Sequence, residues 1–385
     1  MPRSANAANS IDRLQTPALL LDVVRMEHNI DRMRAAVVDR GVFLRGHLKT
    51  SKSLEVARRI WRSDRPTVTV STMREAEYCF EHGIEDILYA VGITANKLER
   101  AVNLRRRGAQ IAVVVDSVDA ARAVATQARR HDCRISTLIE VDCDGERAGV
   151  APDEGEVLLA IAGELGPSAE MLGVLTHAGG SYGARGDAEL RRFAELEKSS
   201  AISAARRLRE SGWDVPVISI GSTPTALAAK DFRGISEARA GVFVFFDLVM
   251  AGIGVCDIDD IAVSVLTTVL SAHPGKGQYI IDAGWMALSR DRGTAMQTLD
   301  QGFGVVCDID CRPIGDLIVV ATNQEHGIVR QRAGSDAEVP RLAVGDLLRI
   351  LPNHACASCA QHDGYNVIQG NSYDVMDYWP RFRGW

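Results

Sequence analysis

Apolar and polar residues follow two rhythms along this chain. Ala18 to Asp22 is a short apolar run ending in a polar residue, which predicts a strand. Met26, Ile30, Met33 and Val37 then recur on one face at helical spacing. Strand-like runs follow, starting near Val42, Thr67, Asp86, Gln110, Arg134, Met171, Val217 and Ser236. Helical patterns lie between them over Ser51–Trp61, Met73–His82, Ala95–Arg107, Val118–Arg130, Glu154–Leu165 and Asp187–Ser211. Eight such steps in about 200 residues predict an α/β fold, a (β/α)8 TIM-like barrel. A doubly wound open sheet would alternate in the same way, but no glycine-rich dinucleotide fingerprint follows the first strand.

After Asp257 the rhythm changes. Ala262–Leu270, Gln278–Asp282, Leu317–Thr322 and Leu347–Leu351 read as strands without long helices between them, separated by turn signals such as Pro274-Gly275 and Ala333-Gly334. The expectation is a barrel over 17–257 and a mainly β domain over 258–385. Segment 1–16 joins the β domain, and Ala18–Asp22 crosses into it. The length of 385 residues agrees with two cores rather than one.

Charge narrows the function classes. The net charge of −6 is spread over both signs, so no basic stripe points to nucleic acid. No apolar stretch approaches the ~18 residues a membrane span needs. Met1 to Asp12 is polar, lacks the apolar core of a secretory signal and reads as a loose tail. Eight scattered cysteines fit free thiols in a reducing, cytoplasmic setting better than a disulfide framework.

Chemistry concentrates at predicted strand ends. Arg45-Gly46-His47-Leu48-Lys49-Thr50 places a lysine where a barrel strand exits, the position that carries catalysis in such barrels. Alternation along the strand puts Arg45 and His47 on the side of Lys49, and crowding by cations activates an amine as a nucleophile. A surface lysine ending a strand is the plain alternative. Glu140-Val141-Asp142-Cys143-Asp144-Gly145-Glu146-Arg147 is a charged binding-loop candidate in which Arg147 could neutralise an oxyanion. Thr176-His177-Ala178-Gly179-Gly180-Ser181-Tyr182 lets a flat ligand approach, with His177 or Tyr182 to stack on it. Gly221-Ser222-Thr223 and Gly241-Val242 follow the last two barrel strands, where phosphate sites form, although hydroxyls there also cap helices. In the β domain, His354 and Cys356 stand two apart on what reads as an extended segment. Both then point one way, and imidazole plus thiolate suits zinc with positions left open. Cys356 with Cys359 could instead form a redox pair, but no thioredoxin-like context surrounds it.

Taken in order, these segments resemble the D-threonine aldolase and D-serine dehydratase family of fold type III pyridoxal phosphate enzymes. The carriers are Thr16-Pro17-Ala18, Lys49-Thr50-Ser51-Lys52-Ser53, Leu175-Thr176-His177-Ala178-Gly179 and Gly221-Ser222-Thr223-Pro224-Thr225-Ala226-Leu227. Further along come Val244-Phe245-Phe246-Asp247, Gly284-Trp285-Met286-Ala287, Asn323-Gln324-Glu325-His326-Gly327 and Asn353-His354-Ala355-Cys356. The resemblance implies an alanine-racemase-like fold with Lys49 holding pyridoxal phosphate as a Schiff base. His47 lies beside the cofactor, Arg147 faces its phenolic oxygen, Tyr182 its pyridine nitrogen and His177 its ring. Ser222, Thr223, Gly241 and Val242 cradle its phosphate. His354 and Cys356 bind a divalent metal, zinc first, with manganese, cobalt or magnesium as alternatives. The implied activity is dehydration of a D-3-hydroxy amino acid by a homodimer. An aldolase acting on the same substrates and a non-catalytic pyridoxal phosphate carrier are the rival readings, and a racemase would need a tyrosine base for which Tyr279 fits poorly. Gly46 and Gly180 stand where relatives carry proline and a larger polar residue.

Overall fold

The computed structural model describes residues 10–61, 66–370 and 372–385. Of the tail expected over Met1–Asp12, only residues 10–12 are described, and Ile11 is buried at the start of a short 3-10 turn. Contacts divide the chain into two compact units. One holds the described residues of Met1–Ile30 with Val242–Arg381, the other Asp31–Gly241 with Phe382–Trp385. The sequence rhythm marked its change at 257/258.

The chain enters through β1 (Ala18–Asp22) and α1 (Val23–Val37), and the boundary between units falls inside α1. Eight barrel strands follow: β2 (Phe43–Gly46), β3 (Thr67–Val70), β4 (Asp86–Gly92), β5 (Gln110–Val115), β6 (Ser136–Val141), β7 (Glu170–Thr176), β8 (Val217–Ile220) and β9 (Glu237–Ala240). They alternate with α2 (Leu54–Ile60), α3 (Met73–Glu81), α4 (Ala95–Arg106), α5 (Val118–Arg130), α6 (Gly155–Leu165), α7 (Asp187–Glu210) and α8 (Thr223–Ala228). All seven ladders in the order β2-β9-β8-β7-β6-β5-β4-β3 are parallel. A bridge from His47 to Thr69, with the Leu48 N–H on the Thr69 carbonyl at 2.9 Å, joins β2 to β3 and closes the ring.

Inside the barrel, Leu88, Ala112, Val114, Leu138 and Leu175 form an apolar layer. At the N-terminal strand ends lies a cavity of about 540 Å³ lined by Arg45, Asp86, Arg105, Glu170 and Glu237 among others. Arg45 spends its guanidinium here, on Glu237 at 2.6 Å and Asp86 at 2.7 Å. That corrects its expected place as a neighbour crowding Lys49. Alternation turns Arg45 inward, but two carboxylates hold it at the far end of the strand. The last four residues also belong to this unit, where Phe382 stacks on Tyr78 at 4.6 Å between centroids.

The other unit is built on β1 and on β10 (Val263–His273), β11 (Gln278–Ile281), β12 (Gly304–Cys307), β13 (Pro313–Thr322), β14 (Gly327–Gln331), β15 (Leu347–Pro352), β16 (Gly364–Ile368) and β17 (Asp377–Pro380). Its short helices are α9 (Leu248–Gly252), α10 (Trp285–Leu288) and α11 (Ala355–Cys359). The sheet order is β11-β14-β13-β12-β15-β10-β1-β16-β17. Because β10 also pairs with β11, six of these strands close into a second, antiparallel barrel. β1 lies against β10 on one edge and β16 on the other: Leu20 faces Ser264 and Asn366.

Candidate active site

In the barrel unit the turn after β2 is fixed by its own backbone. The Lys52 N–H returns to the Leu48 carbonyl at 2.7 Å, with Lys52 at φ +42, and its ammonium meets Glu75 at 2.8 Å. Lys49 therefore projects from a pinned turn, and its N–H lies 3.4 Å from His47 Nδ1. Burial pushes His47 well below the ordinary imidazole range, and the charges of Lys49, Arg239 and His177 add to that.

His177 stands at the end of β7. Its Nδ1 donates to the Gly221 carbonyl at 2.6 Å, which leaves the Nε2 lone pair buried without a hydrogen-bond partner among the described residues. Burial holds this imidazole down to about 3, with Lys49, Arg147 and Arg239 pressing the same way. Both rings are thus neutral among three cations. The Tyr182 ring sits 5.9 Å from that of His177 in the 3-10 turn Gly179–Gly183. Arg147 lies on the exposed loop after β6, its side chain against Gly179.

Three residues given no role from the sequence belong here. Arg239 is fully enclosed and donates to the Ser219 hydroxyl at 2.5 Å and the Thr176 carbonyl at 2.6 Å. Burial pushes Glu140 up to about 7, eased by Arg239 and Arg147. Glu197 is wholly buried on α7, at i+3 from Ala194 and i−4 from Ala201 on a stripe of small buried residues. A carboxylate on an apolar helical stripe is the signal that could have found it.

Ser222 and Thr223 open α8. The Ser222 hydroxyl accepts the Thr225 N–H at 3.2 Å and touches Ser181 at 3.2 Å, so it caps its own helix. Gly221 has φ +155, and a Cβ there would meet the Arg239 carbonyl oxygen at 2.0 Å. A Cβ on Gly241 would meet the His47 carbonyl oxygen at 2.9 Å. These glycines let the ends of β8 and β9 close on their neighbours. Val242 is buried in the other unit, in a 3-10 turn, its carbonyl accepting the Phe246 N–H at 2.7 Å.

In that other unit, His354 and Cys356 are not on one extended segment, as the spacing suggested. His354 is the extended N-cap of α11, and Cys356 lies in its first turn. They still meet, because the cap residue and the second helical residue share an end of the helix. Asp291 Oδ2 holds His354 Nδ1 at 2.6 Å. Burial opposes the charged imidazole, but Asp291, Cys356 and Asp247 outweigh it and push His354 up to about 11. Asp247 caps α9 through the Met250 N–H at 2.9 Å and accepts the Ala355 N–H at 2.9 Å, which ties α11 in place. Burial pushes the Cys359 thiol up to about 12, which makes it a poor thiolate and counts against a Cys356–Cys359 redox pair. Tyr279, the weak racemase candidate, is fully buried with its hydroxyl on the Pro340 carbonyl at 2.5 Å.

Comparison with known proteins matches residues 21–249 to "Alanine racemase, N-terminal domain" and residues 262–368 to "Putative serine dehydratase domain". The first alone covers more than half of the chain. The chain belongs to the alanine racemase N-terminal and D-serine dehydratase domain family. It is 46% identical to the D-threo-3-hydroxyaspartate dehydratase of Delftia sp., over 97% of this chain and 98% of that one. A solved cysteine-to-alanine mutant of a D-threo-3-hydroxyaspartate dehydratase, in the metal-free form, superposes with a TM-score of 0.94 at 45% identity, over 98% of this chain and all of that one. The D-serine dehydratase of Dictyostelium discoideum is 27% identical over 97% of this chain and 98% of that one.

Membership in this family implies pyridoxal phosphate, and the metal-free form of the related dehydratase implies a metal. The residues fit both. Three cations around two neutral imidazoles, one with an unused buried lone pair, suit an anionic aromatic ring. Lys49 offers the amine that would hold the cofactor. A thiol and two carboxylates around one imidazole suit a divalent cation in place of the imidazole proton. Asp291 on Nδ1 would serve as the outer partner that fixes the ring and leaves Nε2 for an ion. Among the described residues no three His, Cys, Asp or Glu side chains converge on a ready-made metal cage. His354 and Cys356 would therefore leave positions open. At the two departures from the family pattern, a Cβ on Gly46 would meet Ile60 at 3.0 Å, and one on Gly180 would meet Phe193 at 2.8 Å. Ile60 and Phe193 occupy the space that the larger residues would need.

Proposed function

We propose that this chain is a pyridoxal phosphate- and metal-dependent dehydratase of a D-3-hydroxy amino acid, with D-threo-3-hydroxyaspartate as substrate and oxaloacetate and ammonia as products. The observation that carries the reading is the His354–Cys356 pair anchored by Asp291, since a racemase has no use for it. The 46% identity to the Delftia sp. dehydratase supports the substrate and its D-configuration.

In this reading Lys49 is the base that removes the α-proton, which together with the departing β-hydroxide makes up the water lost. Pyridoxal phosphate, when bound, supplies the sink for the electron pair that proton leaves behind. His177 gives the ring a neutral neighbour, because its one N–H is spent on Gly221. Arg147 and Arg239 balance anionic charge on the cofactor side. His354 and Cys356 would hold the ion, zinc first, which would supply Lewis acidity for the leaving β-oxygen. Hydroxide leaves the β-carbon, and water taken up on release of ammonia restores the balance. Thr223, Gly241 and Val242 contribute backbone to the phosphate in this reading, and Ser222 caps the helix that Thr223 opens. The working form is a homodimer; sedimentation that finds only monomer at assay concentration removes that element.

Incubation of the purified protein with D-threo-3-hydroxyaspartate, D-serine and D-threonine tests the function. Keto acid and ammonia in equal amounts, lost on chelation and restored by zinc or manganese, support it. Glycine and an aldehyde would establish the aldolase instead. Binding of pyridoxal phosphate with no turnover would leave only a carrier.

A further inference from the structure

Two loops that carry the cofactor site, one after β7 and one after β8, meet on a single carboxylate oxygen. Glu197 Oε1 accepts the Ala178 N–H at 2.9 Å and the Gly221 N–H at 3.2 Å. The side chain is wholly buried and comes from α7. Gly221 also gives its carbonyl to His177 Nδ1 at 2.6 Å. One peptide unit further on, Ser222 touches Ser181 in the first of the two loops at 3.2 Å. Glu197, Gly221 and His177 thus form a chain that ends at the unused Nε2 lone pair of His177. Burying an ionisable side chain is costly, and a core helix could close this space with an apolar residue. The cost makes sense if the two backbone N–H groups need one shared acceptor at a fixed point.

Resting on the cofactor site proposed above, we infer that Glu197 is a positioning residue that sets the tautomer and the plane of the His177 ring against pyridoxal phosphate. It works as a two-handed backbone acceptor. Burial pushes the Glu197 carboxyl above its usual range, against the Ala178 N–H, Thr225, Arg239 and the Gly221 N–H, so the feature assigned to it is the position of the acceptor. The role is therefore one of geometry, and an amide oxygen in the same place fulfils it. A carboxylate withdrawn by one methylene does not.

Two variants separate these features. Glu197→Gln keeps the acceptor and removes the charge; Glu197→Asp keeps the charge and retracts the acceptor. The first readout is imidazole nitrogen chemical shifts of the apoprotein, which report the protonated nitrogen of His177. The second is the dissociation constant of pyridoxal phosphate followed by its visible band. Glu197→Gln is expected to keep the Nδ1–H form and bind within about threefold of the parent, whereas Glu197→Asp mixes the tautomers and binds about tenfold more weakly. Parental shifts and affinity in Glu197→Asp overturn the inference, as does a Glu197→Gln protein that fails in both readouts. If the parent itself shows no Lys49-dependent visible band, the cofactor reading fails; the tautomer contrast between the two variants still judges Glu197.

Discussion

Asp291 holds His354 by Nδ1 at 2.6 Å, which hands the other ring nitrogen to whatever Cys356 also reaches. The carboxylate is half-exposed, and contact with His354 keeps it below the usual carboxylate range despite partial burial. Asp291→Asn keeps the shape and removes most of the pull on the proton. Metal affinity is expected to fall about 10–100-fold, with pyridoxal phosphate binding unchanged. Titration of the chelated protein with zinc, followed through recovery of keto acid formation, measures the first. The visible band measures the second, and its loss would show that Asp291 serves more than the metal.

Lys49→Ala removes the amine assigned to the cofactor and leaves Lys52, the other lysine of the turn after β2, on Glu75. The visible band of bound cofactor should vanish, and turnover should drop by about 10³ or more, the scale of a lost acid–base group. A variant that is still yellow and active would transfer the role to another lysine.

Glu140 gives the clearest dependence on pH. Burial raises it from 4.5 to about 7, so the folded state takes up a proton that the unfolded state does not hold. Its contribution to stability is complete below the unfolded value and is lost as pH rises through the folded one. Glu140→Gln stays neutral throughout. Relative to the parent, the variant should gain stability between pH 5 and pH 8. Urea midpoints of both proteins at these two values decide it, and parallel changes would mean that Glu140 ionises normally.

The second carboxylate of hydroxyaspartate calls for a cationic clamp, and Arg45, Arg290 and Arg292 are three arginines to weigh for it. Arg45 is committed to Glu237 and Asp86, and Arg292 pairs with Asp300. Arg290 instead lies 5.0 Å over the Trp285 ring and directly precedes Asp291. Arg290→Ala is therefore expected to raise KM for D-threo-3-hydroxyaspartate about tenfold while changing KM for D-serine by less than about twofold. Equal effects on both substrates would remove Arg290 as the clamp.

The barrel was legible because its strands and helices each keep one period. Predicted strand starts at Thr67, Asp86, Gln110 and Val217 coincide with β3, β4, β5 and β8, and the helix over Val118–Arg130 is α5 residue for residue. The β unit was less legible. β12 has four residues and starts at Gly304, whose φ is +144, so neither length nor composition marks it. Lys49, His47, His177 and Tyr182 were visible as chemistry at strand ends, and the structure brings them together. Arg45 was misplaced because alternation tells which way a side chain turns, not how far along the barrel it finds a partner. Glu197 was missed because its partners are backbone groups from two distant loops, and nothing in their side chains advertises them.

The strand β1 precedes the eight barrel strands, yet both of its pairing partners, β10 and β16, follow them. Leu20 waits for Ser264 on one side and Asn366 on the other. On the ribosome both hydrogen-bonding edges of this apolar strand therefore lack their partners while the whole parallel barrel is being made. A protein cut short before residue 364 would carry that sticky edge permanently.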